Sequence, residues 1–169
     1  MVSVLDVSVT DARAQKLLAD YFDARAAGHP GGRDAYRTVV PNPAHFEPPL
    51  GAFVIVLDSA GEPIGCGGVR RVDVDVDRGE PGAVRFEVKH LWIAPRIRGT
   101  GAGRLLLLEL ERRARDLGAS ELVLDTNASL IAATRLYRTG GYEEVAPYND
   151  NPNATNWFWK SLTAPRPED

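Results

Sequence analysis

The sequence predicts an α+β (mixed α/β) domain with a largely antiparallel central sheet, and three observations carry that prediction. Between residues 52 and 93 three β-branched apolar runs follow one another, separated only by Asp58-Ser59-Ala60-Gly61-Glu62 and Arg78-Gly79-Glu80-Pro81-Gly82, which is the pattern of consecutive hairpins. Residues 102–117 then place Leu106, Leu110, Ala114 and Leu117 on one helical face, with Arg112, Arg113, Arg115 and Asp116 largely elsewhere, as expected of a crossover helix. The chain has 169 residues, the length of one domain, and no stretch of linker composition, so a single domain over residues 1–162 is expected.

The elements follow in order. A first strand is read over residues 2–9, where Val2, Val4, Val7 and Val9 stand among Ser and Asp, although the alternation breaks at Leu5 and Asp6. Thr10 is the expected cap of a first helix, whose Leu17, Leu18, Tyr21 and Phe22 recur at helical spacing until Gly28, Pro30 and Gly31-Gly32 stop it. Residues 31–49 carry Pro41, Pro43, Pro48 and Pro49 and read as loop, with a short helix near Ala44 to Phe46. Strands over residues 52–57 and 63–76 make the first hairpin. In the second of them Val72, Val74 and Val76 alternate with Asp73, Asp75 and Asp77, giving one buried and one wet face. Such alternating carboxylates do not converge as calcium requires, so no metal site is expected. A third hairpin strand runs over residues 84–93. Beyond the long helix come a strand at 121–125, a helix at 130–138 closed by Gly140-Gly141, and strands at 142–145 and 157–162. Residues 163–169, with two prolines, are expected to fray.

Composition narrows the function classes. Twenty Lys plus Arg against 23 Asp plus Glu leave a net charge of −3, which does not favour a nucleic-acid partner. The lone Cys66 has no disulfide partner and sits among Gly65, Gly67 and Gly68, so it reads as a small buried residue rather than a nucleophile. No apolar run approaches a membrane span and no export signal opens the chain, so a cytoplasmic protein without a membrane partner is expected.

The chemistry is concentrated in Leu91-Trp92-Ile93-Ala94-Pro95-Arg96-Ile97-Arg98-Gly99-Thr100-Gly101-Ala102-Gly103-Arg104. A strand, a glycine-rich turn and a long helix follow one another there. Glycines let the backbone approach a ligand, and the helix start supplies unsatisfied N–H groups and the positive end of its dipole. The turn therefore suits a phosphate or pyrophosphate, helped by Arg96, Arg98 and Arg104. A Rossmann dinucleotide site would also want an acidic residue near the position of Asp125. That fingerprint belongs in the opening unit of a parallel sheet, however, and this turn follows hairpin-linked strands. No Gly-Lys-Ser/Thr follows, so a Walker-type loop is excluded.

With these residues in view, the sequence resembles the GNAT superfamily of N-acetyltransferases. Arg98-Gly99-Thr100-Gly101-Ala102-Gly103 is similar to its Arg/Gln-x-x-Gly-x-Gly/Ala motif and follows a Leu-x-Ile-x-Pro strand end. Leu122-x-Leu-Asp-Thr-Asn127, with Leu136-Tyr137 and Gly141-Tyr142, resembles the second half of that fold. The resemblance implies a sheet of about seven strands splayed between the fourth and fifth. It also implies acetyl-CoA as cosubstrate, with the pantetheine arm on Leu91, Trp92 and Ile93 and the pyrophosphate on the turn from Arg98 to Arg104. Asn127 either holds the cofactor arm or turns the chain into the next helix. The homodimer common in the family is a further implied possibility.

Transfer to an amine sets three tasks. A backbone N–H near Ile93 is the candidate donor to the carbonyl oxygen as it gathers charge. Tyr137 resembles the family's general acid for the departing thiolate, although a tyrosine at that helical spacing also suits a core. Glu87 is the preferred general base and His90 the second candidate; strand parity sends them to opposite faces unless a bulge intervenes. The plain alternative for Glu87 is a cross-strand pair with an arginine or with Lys89. The acceptor pocket is expected between residues 31–49 and 147–153, with Phe46, Tyr148 and Asp150 lining it; a polar turn is the alternative for the second segment. Trp92, Trp157 and Trp159 are expected to fill core or sheet surface. These expectations make the chain an N-acetyltransferase acting on a small primary amine by direct attack. A protein N-terminus or lysine as acceptor, or a non-catalytic acyl-CoA sensor, are the alternatives.

Overall fold

The sheet comprises β1 (Ser3–Asp6), β2 (Gly51–Leu57), β3 (Pro63–Val72), β4 (Arg85–Ile93), β5 (Glu121–Thr126), β6 (Glu143–Val145) and β7 (Asn156–Ser161). Three helices, α1 (Ala12–Ala27), α2 (Ala102–Asp116) and α3 (Ile131–Thr139), complete the regular structure. This computed structural model describes residues 1–163, so the expected fraying beyond Thr163 lies outside the described residues. The seven strands stand in the order β1-β2-β3-β4-β5-β7-β6, and every neighbouring pair is antiparallel except β4 and β5.

Alternation along β2 sorts the core into two layers. Val54 and Val56 join Leu106, Leu110 and Ala114 of α2, whereas Phe53, Ile55 and Leu57 join Ala14, Leu17 and Leu18 of α1. The helices thus cover opposite faces, and each buried leucine contributes about 1.5–3 kcal/mol. The Gly65 to Gly68 run of β3 permits this close packing. A Cβ at Gly67 would stand 2.9 Å from Leu110, and one at Gly68 would stand 2.7 Å from Phe46 on the opposite side. Cys66 is fully buried between them, and burial pushes its thiol pKa up.

Several local expectations are corrected. Asp11 rather than Thr10 caps α1, its carboxylate accepting the Arg13 amide at 2.8 Å, while the Thr10 hydroxyl pairs with the Ser8 hydroxyl at 2.8 Å. Strand β3 stops at Val72; Val74 and Val76 are half-buried but unpaired, since Arg85 draws the Val74 carbonyl to its guanidinium at 3.0 Å. Arg113 is buried rather than solvated, donating to both carboxylate oxygens of Asp6 at 2.8 Å and so tying α2 to the edge strand.

The feature that matters most is the partial pairing of β4 with β5. Their register covers only Arg85↔Glu121, Phe86↔Leu122 and Glu87↔Val123. A buried ion pair, Arg85 Nε to Glu121 at 2.7 Å, fastens that end. Past Glu87 the strands part and leave an unpaired edge on β4. A bulge sits on the same stretch: the register with β3 shifts between Cys66 and Gly68, and His90 takes φ 56°.

Candidate active site

The glycine turn owes its shape to backbone requirements. Pro95–Ile97 form a 3-10 turn, after which Gly99 (φ 82°) and Gly101 (φ 89°) adopt conformations that favour glycine. Leu105 is the first residue of α2 to donate back, to the Gly101 carbonyl at 3.0 Å. The amides of Ala102, Gly103 and Arg104 therefore lack backbone acceptors among the described residues. At Gly103 a Cβ would meet nothing nearer than Leu136 at 3.7 Å, so no protein contact demands glycine there. A ligand approaching the backbone would demand it. Arg98 and Arg104 are exposed, and Arg98 Nε donates to the Ile93 carbonyl at 3.0 Å, while Arg96 reaches toward Asp58.

The open edge of β4 leads from this turn into the fold. Ala94 donates its amide to Ile64 of β3 at 2.8 Å, so by strand alternation the amide of Ile93 faces away from β3, toward the gap. Trp92 packs with the α1 layer and Ile93 with the α2 layer. The donor set on this edge and turn, backbone amides with two exposed arginines, fits a peptide-like arm ending in a diphosphate.

A cleft of about 500 Å³ occupies the gap on the α1 side. Tyr21, Phe22 and Arg25 of α1, the 28–46 segment, Lys89 to Leu91, Asp125 to Asn127 and the 149–154 segment line it. Asn153 clamps its roof, accepting the Arg37 amide at 3.0 Å and donating to the Arg37 carbonyl at 2.7 Å. Phe46 lines the cleft but is held in the core against Phe53. Asp150 is exposed and stands outside the lining, to which its neighbours Asn149 and Asn151 contribute instead.

Below the cleft lies an ionic network that crosses the gap. Arg70 donates to Glu87 Oε1 through Nη2 at 2.8 Å and Nε at 3.1 Å. The Tyr148 hydroxyl donates to Glu87 Oε2 at 2.8 Å, and burial followed by the Glu87 charge raises the tyrosine pKa. Lys89 on β4 bridges to Asp125 on β5 at 3.0 Å. Burial works against both charges, but Glu87 and Asp125 hold Lys89 above its ordinary pKa, and Lys89 holds Asp125 below. Asn149 joins the pair, donating to Asp125 at 2.8 Å while accepting the Trp157 indole N–H at 2.8 Å. Glu87 thus makes the cross-strand pair foreseen as the plainer alternative, with Lys89 also at 3.6 Å.

The bulge that the parity argument left open is present at His90. The positive φ turns His90 to the same face as Glu87 and Lys89, against Tyr21, Phe22 and Phe46 at centroid distances of 5.4, 5.6 and 5.8 Å. Its Nδ1 is buried without a partner among the described residues, and burial, reinforced by Lys89 and Arg70, lowers its pKa to about 3. His90 is therefore neutral near pH 7. Tyr137 lies at the inner end, 6% exposed, packed against Tyr142 and Phe158 yet lining the cleft. Burial raises its pKa, partly opposed by Arg25. Asn127 spends its amide on Asn153 O and its Oδ1 on the Ser129 amide, both at 3.0 Å, as in its turn-forming alternative.

Residues that sequence reasoning did not single out include Arg25, Arg37, Lys89 and Asp125 as cleft walls. Only the Arg70–Glu87 pair had a signal, since hairpin register sets those residues opposite each other.

Comparison with known proteins places the chain among acyl-transferring proteins. The model of the acetyltransferase (GNAT) family matches residues 11–142. An uncharacterised N-acetyltransferase of Schizosaccharomyces pombe is 36% identical over 107 residues, which cover 63% of this chain and 61% of that protein. An aminoglycoside N(6')-acetyltransferase type 1 of Stenotrophomonas maltophilia is 31% identical over 95 residues, covering 56% of this chain and 61% of its own length. The chain thus spans about six tenths of the length of these curated relatives. A Klebsiella pneumoniae crystal structure, provisionally described as an acyl-CoA N-acyltransferase, superposes with TM-score 0.69 at 27% identity, covering 96% of this chain and 99% of that one.

Proposed function

The chain belongs to the GNAT acetyltransferase family, and from that premise we propose that it transfers the acetyl group of acetyl-CoA to the primary amine of a small molecule. The observation that carries the reading is the continuity of three features: unsatisfied amides at the start of α2, the unpaired edge of β4, and a cleft that begins where β4 and β5 part. The clamp of Asn153 on Arg37 roofs the cleft, which favours a small acceptor over a protein segment. The name of the Stenotrophomonas relative points the same way.

Bound acetyl-CoA supplies the thioester carbonyl that the amine attacks. In this reading the amides of Ala102, Gly103 and Arg104 bind the diphosphate, assisted by Arg98 and Arg104. The open edge of β4 aligns the arm, and the Ile93 amide donates to the carbonyl oxygen as charge develops there. Tyr137, kept protonated by burial, gives its hydroxyl proton to the departing sulfur. Asp125 lines the cleft with its oxygens held by Lys89 and Asn149, so it fixes that wall rather than meeting the amine as a free anion. Glu87, behind Tyr148, accepts the amine's proton through water rather than directly, because both its oxygens are engaged.

Tyr137→Phe tests this assignment. With loss of a general acid, amine-dependent thiol release falls about 100-fold or more while the Kd for CoA stays within about twofold. Unchanged release removes Tyr137 from the chemistry, and absence of release in the parent protein with a broad amine panel favours the sensor alternative.

A further inference from the structure

The charge of the cleft runs opposite to that of the molecule. The whole chain is at −3, yet four cationic side chains, Arg25, Arg37, Arg70 and Lys89, line the cleft against the single carboxylate of Asp125 among the described residues. Two of the four are neutralised locally, Arg70 by Glu87 and Lys89 by Asp125. Arg25 and Arg37 form no ion pair with any described residue. Arg25 stacks over the Tyr21 ring at 5.1 Å, and the backbone that carries the exposed Arg37 is clamped on both sides by Asn153. They belong to the α1 side of the sheet, whereas the glycine turn opens α2 on the other face, so they are not placed to serve the diphosphate.

We propose that the acceptor is an amine that also carries a carboxylate, held by Arg25 and Arg37, with an apolar substituent against Tyr21, Phe22 and Val40. This rests on the acetyl-transfer reading above. The unpaired arginines meet the carboxylate at the α1 side, which leaves the amine toward the gap in the sheet, where Asp125 is already held by Lys89 and Asn149. A charge-assisted contact of this kind is worth about a 10- to 100-fold preference. Polycationic amines fit poorly, because they meet two unneutralised guanidinium groups at the same wall.

Matched triplets test the proposal: leucine, methionine and phenylalanine, each against its carboxamide and its decarboxylated amine, with thiol release from acetyl-CoA as the readout. The carboxamides have the less basic amine and the chemical advantage, so a preference for the acid reports binding. The expected result is kcat/KM at least about tenfold higher for the acids, expressed mainly in KM. Arg25→Gln and the exposed Arg37→Gln each narrow that ratio, and Arg37→Gln keeps the test open should Arg25→Gln fail to fold. The proposal is overturned if amides or decarboxylated amines match the acids, if an aminoglycoside outperforms them, or if calorimetry finds that the acids neither react with nor bind the CoA-loaded protein. Failure of the underlying reading looks different: the parent protein then binds no CoA and releases no thiol with any amine.

Discussion

His90 shows how one backbone angle changes what a side chain does. Regular alternation would have turned it toward α2; at φ 56° it stacks instead among Tyr21, Phe22 and Phe46, with Nδ1 unpartnered among the described residues. A histidine ordinarily titrates near 6.5, and here burial and nearby cations hold it near 3. The unfolded chain therefore takes up this proton first as pH falls. The associated stability is fully present above about 6.5 and is lost progressively as pH drops toward 3. Asn tolerates a positive φ and does not titrate, so His90→Asn isolates the effect. Urea unfolding at pH 7 and pH 5 should show the parent protein losing about 2 kcal/mol more than the variant. Parallel losses would mean that His90 is accessible to protons in the fold. The bulge itself was not legible in the sequence, because no residue near 90 is a glycine and the shift depends on how β3 and β4 settle against each other.

Among the elements, the turn into α2 was the most legible, because its chemistry is local. Gly99 and Gly101 are dictated by their dihedral angles, but Gly103 is not. That difference separates packing from ligand contact. Gly103→Ala adds a better helix former with no clash, so the melting temperature should hold or rise, with up to about 1 kcal/mol gained. CoA affinity should nevertheless fall about tenfold or more, because the new methyl group stands where the diphosphate approaches. Calorimetry and a thermal melt on the same sample check both halves, and an alanine variant that binds CoA normally would deny this turn close ligand contact. Elements whose partners lie far along the chain were less legible. The end of β3 at Val72 depends on Arg85 capturing the Val74 carbonyl, and the burial of Arg113 depends on Asp6, 107 residues away.

At the scale of the molecule, the fold works as a sheet fastened at one end and open at the other. Arg85 and Glu121 close the lower end of β4 and β5, and Lys89 to Asp125 is the only described ion pair across the parted region. In the proposed reading, donor and acceptor approach from opposite faces, the donor along the α2 start and the acceptor under the roof beside α1. The order of elements was readable from hairpin spacing and one amphipathic helix, as was the glycine turn between β4 and α2. The walls of the cleft were not, since Arg25, Arg37, Lys89 and Asp125 come together only through tertiary packing and carry no motif. The central claim is that the amides opening α2 hold the diphosphate of the coenzyme. Proton–nitrogen correlation spectra of the labelled protein, titrated with CoA and separately with pantetheine, test it most directly. The account predicts saturable shifts of the Ala102, Gly103 and Arg104 amides with CoA and none with pantetheine; amides that stay unmoved in a CoA-saturated sample would contradict it.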